Sequence, residues 1–569
     1  MIQEVTIIIP ADKEGDEAYT RKEILRVSGK NAGRLTAVRR IKRSVDARRG
    51  RVKLVLRYRL YIDEMPPKEE SELPVWRRAE GNKQVLIIGS GPAGLFASLR
   101  LLEDGIKPVI IERGSAVSER RRDIAAISTR GIVGEDSNYC FGEGGAGTFS
   151  DGKLYTRSNK RGDIGRILRI FTCFGADERI LSDAHPHIGT DRLPAIVDAM
   201  IRKITECGGE VLFDTRCTSL LTEKAADGTL SVCGVGTQHT KTGEGRELRG
   251  DAVILATGHS AADIYRLLAR TAPQALEAKT FAVGVRVEHP RELIDCIQYH
   301  GKRPEGLGAA EYRLTSQQEG RGVYSFCMCP GGFVVPSATE PESIVINGMS
   351  AAGRNSRWSN AAIVVETRPE DIPQDFQRMA GKEGCPALAG LYWRSALERR
   401  AWEHGSSQKA PAQRLVDFLA GRESVSLPAT SYAPGVVESS LELCLPDGIT
   451  RRLKAAFSEF GRSMKGFVCD EALLIASETR TSTPVRILRD KETCECTALK
   501  NLYPAGEGSG YAGGIVSSAM DGERVAGMIL SRLIDRVRLC ARHKRRGPRD
   551  DDCRIHRHAL PCAGVLERD

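Results

Sequence analysis

VLIIGSGPAGLFASLRLLEDGIKPVIIERG, residues 85–114, decides how this chain folds. Val85 to Ile88 form an uninterrupted apolar run that a glycine ends, the pattern of a buried strand. Gly89, Gly91 and Gly94 follow as G-x-G-x-x-G, with Pro92 and Ala93 between the last two. In that spacing the first glycine permits a tight turn and the second lets backbone approach a pyrophosphate. The third lets the next helix pack closely on the sheet. Leu95, Leu99 and Leu102 recur at helical spacing, and Gly105 is placed to end the helix. Val109 to Ile111 make a second strand. Glu112 closes it eighteen residues after Gly94, near the ~20-residue interval of the acid that holds a ribose 2′-hydroxyl, and Arg113 follows. A carboxylate there suits a free hydroxyl and opposes a 2′-phosphate, so the expected ligand is FAD or NAD rather than NADP.

The rest of the chain is long enough for two to four domains: 569 residues at roughly 100–200 per domain. No apolar stretch approaches the ~18 residues of a membrane span, and the N-terminus has no signal-peptide pattern. A cytoplasmic protein is the expectation. Sixteen cysteines are scattered without the spacing of a disulfide framework, so most of them read as buried thiols. Basic charge is concentrated at the ends. Residues 21–60 carry fifteen Lys or Arg against Glu23 and Asp46, and the segment from Arg536 carries ten against five acids.

Residues 1–80 read as a small basic α+β domain, with strands near 5–9, 37–46 and 51–62 and a helix near 18–28. Its charge suits either a solvated face or nucleic acid bound through residues 21–60. Residues 81–280 read as the first part of a Rossmann-like dinucleotide-binding domain. Within it, Cys140-Phe-Gly-Glu-Gly-Gly-Ala-Gly-Thr-Phe-Ser-Asp-Gly-Lys is dense in glycine, so Gly144, Gly145 and Lys153 are expected beside the cofactor. Ala252-Val-Ile-Leu-Ala-Thr-Gly258 is another buried strand, ending in Thr257, Gly258 and His259.

Residues 281–500 are expected to form an inserted α+β substrate domain. Strands fall near 281–287, 332–336, 343–347 and 362–366, and helices near 391–403, 409–420 and 450–461. Residues 501–538 then close the first domain. Leu502-Tyr-Pro-Ala-Gly506-Glu-Gly-Ser-Gly-Tyr-Ala-Gly-Gly514-Ile reads as a strand and glycine loop opening a helix from about 515 to 538, whose N-terminal amides suit a flavin ring or a pyrophosphate. Residues 539–569 read as a disordered tail. Its His543, Cys553, His556, His558 and Cys562 match no zinc spacing, and no metal is expected.

In this order the pieces resemble the two-dinucleotide-binding-domain flavoproteins, at 85–114, Ala252–Gly258 and 502–525. More narrowly, Cys140–Lys153, Tyr324-Ser-Phe-Cys-Met-Cys-Pro-Gly-Gly, Asn347-Gly-Met-Ser and Glu478-Thr-Arg-Thr-Ser-Thr-Pro resemble a bacterial and plastid group of poorly characterised FAD-dependent dehydrogenases. The resemblance implies noncovalent FAD and oxidoreductase activity, with no substrate attached. It places Glu507 where many members carry an Asp that contacts the ribityl chain, together with Gly506, Gly513, Gly514 and Ile515. It also places Cys217 near the adenine.

No second dinucleotide fingerprint follows Gly258, so NAD(P)H is expected only as a transient electron donor, and there is no C-x-x-C dithiol. For catalysis the candidates are Cys329 of the Cys327-Met-Cys329 pair as a redox thiol, Arg480 as an anion clamp, and His259, with His187 and His289 as further acid–base groups. Each also has a structural reading: packed thiols, an ion pair of Arg480 with Glu478, and core histidines. The expected function is an FAD-dependent oxidoreductase acting on a small molecule. The alternatives are an RNA-modifying flavoprotein that grips RNA through its N-terminal domain, and a flavin redox sensor.

Overall fold

The computed structural model describes residues 1–48, 50–66, 73–156 and 162–545, with backbone alone from 534. At the N-terminus, β1 (Ile2–Pro10), α1 (Glu17–Ser28), β2 (Leu35–Asp46) and β3 (Lys53–Ile62) form an antiparallel sheet in the order β1-β3-β2. The Asp16 carboxylate caps α1 by accepting the Tyr19 amide at 2.9 Å. Leu54, Leu56, Tyr58 and Leu60 alternate onto one face of β3 and meet Ile7, Ile9 and Ile24 in the core. Arg26, Arg34, Arg43, Arg48, Arg51 and Arg59 each meet a carboxylate of the same domain, which reduces the positive field this surface presents.

The next elements are β4 (Gln84–Ile88), α2 (Pro92–Glu103), β5 (Lys107–Ile111), α3 (Val117–Arg130), α4 (Ile164–Cys173), α5 (Leu193–Glu206) and β6 (Glu210–Leu212). An antiparallel meander of β7 (Thr215–Lys224), β8 (Leu230–His239) and β9 (Gly245–Arg249) precedes β10 (Ala252–Leu255). A five-stranded, all-parallel sheet runs in the order Leu502–Pro504, β10, β4, β5, β6. All of its strands but the half-buried edge strand β6 are buried, hence the unbroken apolar runs in the sequence. Val85, Ile87, Ile110 and Ile254 face one core with α2 and the final helix, Ile515–Arg545, while Leu86, Ile88, Val109 and Leu255 face another. The order reverses beside β4, so a crevice opens at its C-terminal end, where such sheets take their ligands.

Between β10 and Leu502 the chain builds a seven-stranded mixed sheet. Its order is Thr315–Gln318, Arg321–Cys329, Trp358–Thr367, Phe281–Pro290, Leu473–Glu478, Ala410–Arg414 and Val436–Glu438. This is the inserted α+β region of an otherwise Rossmann-like fold. Three local expectations change. Residues 410–414 are a strand and only Leu415–Ala420 is helical, because Ala410–Arg414 is taken into the sheet between Val436–Glu438 and Leu473–Glu478. The strand expected at 343–347 lies at Ile346–Met349. The final helix passes 538 and continues to Arg545, since the first breakers are Gly547 and Pro548. The rest of the expected tail lies outside the described residues. Among the described residues no helix is long and apolar enough to cross a membrane, and no group of metal-ligating side chains occurs.

Candidate functional site

The crevice is a cavity of about 400 Å³ between the parallel sheet and the inserted region. Gly89, Gly91, Pro92, Ala93, Glu112, Arg113, Gly145, Lys153 and Cys217 line it from the first half of the chain. Thr257, Gly258, His259, Arg480, Gly506, Glu507, Gly513, Gly514 and Ile515 line it from the second. Gly94, Gly144 and Cys329 do not line it.

Each of those three has a packing reason. A Cβ on Gly94 would stand 2.0 Å from the Gly89 carbonyl oxygen, so its role is to let α2 close on the turn. Gly144 is folded against Thr148 and Val197, with its amide donated to Ser90 Oγ at 3.2 Å. Cys329 is fully buried behind Cys327. Gly89 itself has φ +103 and no room for a Cβ beside Ala256, so the turn requires glycine on both counts.

Glu112 has protein partners on both of its oxygens. One carboxylate oxygen accepts the Ser90 amide at 2.9 Å and its hydroxyl at 2.7 Å, and the other accepts the amides of Gly114 at 3.0 Å and Gly142 at 2.9 Å. Both oxygens are saturated, so in this structure Glu112 ties together the glycine turn and the 138–147 loop. A ribose hydroxyl arriving here would displace the Ser90 hydroxyl, which has Gly142 O as another acceptor 3.4 Å away. Arg113 is paired with Asp136 and Asp263 and lies 4.3 Å over the Phe141 ring, a fixed cation at this end of the cavity. Cys217 is no reactive thiol, since burial pushes its pKa up to about 12.

Several organising residues carry no signal in the sequence. Arg120 of α3, fully buried, donates to the carbonyls of Asn138 (2.8 Å), Glu143 (2.7 Å), Tyr139 (3.0 Å) and Gly145 (2.9 Å), and burial lowers its pKa to about 10. It stands beside Arg121 and Arg122, and helical periodicity does not reveal which of the three turns inward. Arg120→Met, which leaves those carbonyls without their donor, is expected to cost about 2–3 kcal/mol, read as a lowered urea midpoint at unchanged m. Asp521 on the final helix accepts the Gly506 amide at 2.8 Å and pairs with Arg489 at 2.6 Å, which shapes the second glycine loop.

Another part of the wall is polar. Lys153 Nζ lies 2.8 Å from Asp151, 3.6 Å from Cys329 Sγ and 4.0 Å from Cys327 Sγ. Asp151 also accepts from Arg354 at 2.9 Å and from Ser350. Burial alone would raise its pKa, but Lys153 and Arg354 pull it down to about 2, so it is a carboxylate. Arg354 in turn lines a second cavity, of about 1210 Å³, which reaches to the N-terminal domain, so this ion pair has one partner on each cavity.

The catalytic candidates separate clearly. Cys327, not Cys329, faces the cavity. Arg480 is held bidentately by Glu398 at 2.7 and 2.9 Å, while Glu478 pairs with the buried Arg286 at 2.9 Å. The ion pair expected for Arg480 therefore exists with a different acid, and its fork is not free to clamp an anion. His259 Nδ1 lies 3.6 Å from Glu507 in the cavity wall. His187 bonds the Ala352 carbonyl at 3.1 Å outside that cavity. His289 is fully buried, bonded to the Phe467 carbonyl at 2.7 Å, with its pKa lowered by burial to about 4, which makes it structural.

The residues present fit a bound dinucleotide. Positions 91, 258, 513 and 514 all have open space where a Cβ would stand, so four backbone segments can be approached closely by a ligand. A parallel sheet with a glycine turn and this cavity at its switch point defines a dinucleotide-binding protein. Residues 82–126 match the FAD binding domain, residues 280–481 the FAD-dependent protein C-terminal domain, and residues 1–61 a domain of unknown function. An uncharacterized protein of Clostridium beijerinckii is 39% identical over 453 residues, covering 79% of this chain and 80% of its own. The chain belongs to the same family as that protein, and its FAD-binding and FAD-dependent C-terminal domains make it an FAD-dependent protein. Among solved structures it is similar to a flavoprotein/dehydrogenase from Cytophaga hutchinsonii (11% identity, 79% of each chain, TM-score 0.36). It is also similar to a geranylgeranyl bacteriochlorophyll reductase-like protein from Thermoplasma acidophilum (11% identity, 82% of this chain and 84% of that one, TM-score 0.34).

Proposed function

We propose that the chain uses noncovalently bound FAD to transfer electrons to or from a small-molecule substrate in the cytoplasm, with a nicotinamide nucleotide as a visiting donor. The observation that carries this is the make-up of one cavity wall. It joins glycine backbone, Glu112 and Arg113 to the ionisable side chains of Lys153 and Asp151, with Cys327. Bound FAD supplies two-electron transfer. Gly91, with Gly145 packed against its backbone, leaves room for the pyrophosphate, and Glu507 with His259 borders the ribityl path. Gly513, Gly514 and Ile515 present the N-terminus of the final helix, whose dipole favours negative charge at the flavin. Lys153, fixed by Asp151, keeps a cation beside the reacting end.

The purified protein is expected to be yellow and to release its flavin on denaturation. Anaerobic bleaching of that colour, scanned across NADH, NADPH and a metabolite panel, identifies the donor and substrate. A folded protein that is colourless and indifferent to added FAD overturns the reading.

A further inference from the structure

The strand Arg321–Cys329 carries one extra residue against its partner. Phe326 pairs with Ala362, and the next pair is Cys329 with Asn360. The bulge falls on Cys327, which has φ +44, a conformation rare outside glycine that a surrounding structure must enforce. Here the enforcing group is Arg286, fully buried, which donates to the Cys327 carbonyl at 3.3 Å and to Asn360 at 2.8 Å. The bulge aims Cys327 into the cofactor cavity and leaves Cys329 closed off behind it, its Sγ 3.3 Å from the Cys327 carbonyl oxygen. Lys153 stands within 4.0 Å of both sulfurs. The hydrogen bond from Cys329, followed by the charges of Lys153 and Arg286, lowers the Cys327 pKa against the effect of burial, while that of Cys329 is raised. Cys327 is thus the more acidic thiol of the two and Cys329 the less acidic.

We propose that Cys327 and Cys329 are a redox couple in exchange with the flavin, serving a disulfide or dithiol substrate that reaches Cys327 from the cavity. The step balances. The Cys327 thiolate and the Cys329 thiol join in one S–S bond, and the electron pair and the Cys329 proton pass to oxidised flavin. In the reverse direction reduced flavin returns both and restores thiolate and thiol. The inference rests on the FAD reading and adds a second two-electron store to the site.

The test is an anaerobic dithionite titration of the flavin-loaded protein, followed by iodoacetamide labelling and mass analysis of the peptide that carries both cysteines. Air-oxidised wild type is expected to take up twice the reducing equivalents that its flavin accounts for, with both cysteines protected before reduction and Cys327 labelled first after it. Cys327→Ser and Cys329→Ser are each expected to take up the flavin's complement alone. Wild type that titrates as flavin alone, with Cys327 labelled at full extent before reduction, overturns the inference and leaves the FAD reading standing. Both readouts are made on wild type, so a misfolded variant does not blunt the test. Loss of the FAD reading is recorded separately, as absent colour.

Discussion

Gly91→Val is expected to purify as a folded, colourless protein. Nothing stands within 4 Å of where a Cβ at 91 would sit, so the substitution leaves the protein interior undisturbed and its methyls project into the cavity. Gly91 is followed by Pro92 at the start of α2 and has a negative φ, so valine meets no left-handed strain there. The pyrophosphate's place is taken, and flavin affinity is expected to fall on the order of 100-fold or more, since each 1.4 kcal/mol lost is tenfold. Gly94→Val is the contrasting case. Its Cβ would overlap the Gly89 carbonyl, so that variant is expected to lose stability whether flavin is present or not. Flavin fluorescence titration together with thermal unfolding separates the two. Full flavin retention in soluble Gly91→Val refutes the placement of the pyrophosphate at this turn.

The second large effect is expected from Glu398→Gln. Glu398, on the helix Ala389–Glu403, is 2% exposed. It accepts from Arg480 at 2.9 and 2.7 Å and from Thr479 at 2.8 Å, with Arg394 3.6 Å away. Removing its charge leaves two buried guanidinium groups without their counterion, a change that costs about 3–5 kcal/mol. Replacing Glu398 and Arg480 together by apolar residues is expected to cost less. Burial pushes the Glu398 carboxyl upward, and the facing arginines, Arg480 foremost, pull it net below its ordinary value. Its stabilisation is therefore present above the unfolded-state pKa of about 4.3 and fades as pH falls through the lowered folded value. The gap between wild type and Glu398→Gln in urea midpoint should be widest near neutrality and narrow below about pH 4. A gap that is small at neutral pH, or that grows on acidification, contradicts the assignment.

Both effects concern the same cavity wall, and they differ in how far they were legible in sequence. The glycine turn was readable because three small residues at fixed spacing have one common physical use. The Glu398–Arg480 pair was not: the sequence offered Glu478 as the nearest acid to Arg480, two residues away. In the strand Leu473–Glu478, Glu478 instead points to Arg286 across the sheet, while Arg480 lies past the strand end and turns to the helix. Local spacing ranks partners by chain distance, whereas a buried charge is satisfied by whichever partner the packing brings within reach. Cys327 and Cys329 show the same limit. Side chains two apart in a regular strand share a face, and only the bulge decides that one faces the cofactor and the other does not.

By itself the sequence determined the buried strands at 85–88, 109–111, 252–255 and 502–504 and the glycine turns that follow them. These follow from periodicity and from glycine, both short-range properties of the chain. The tertiary structure alone decided that Glu112 is saturated by Ser90, Gly114 and Gly142, that Arg120 holds the 138–147 loop, and that Lys153 meets a C-x-C more than 170 residues away. Those are electrostatic contacts between distant segments, made where desolvation leaves a charge no partner but the one the fold delivers.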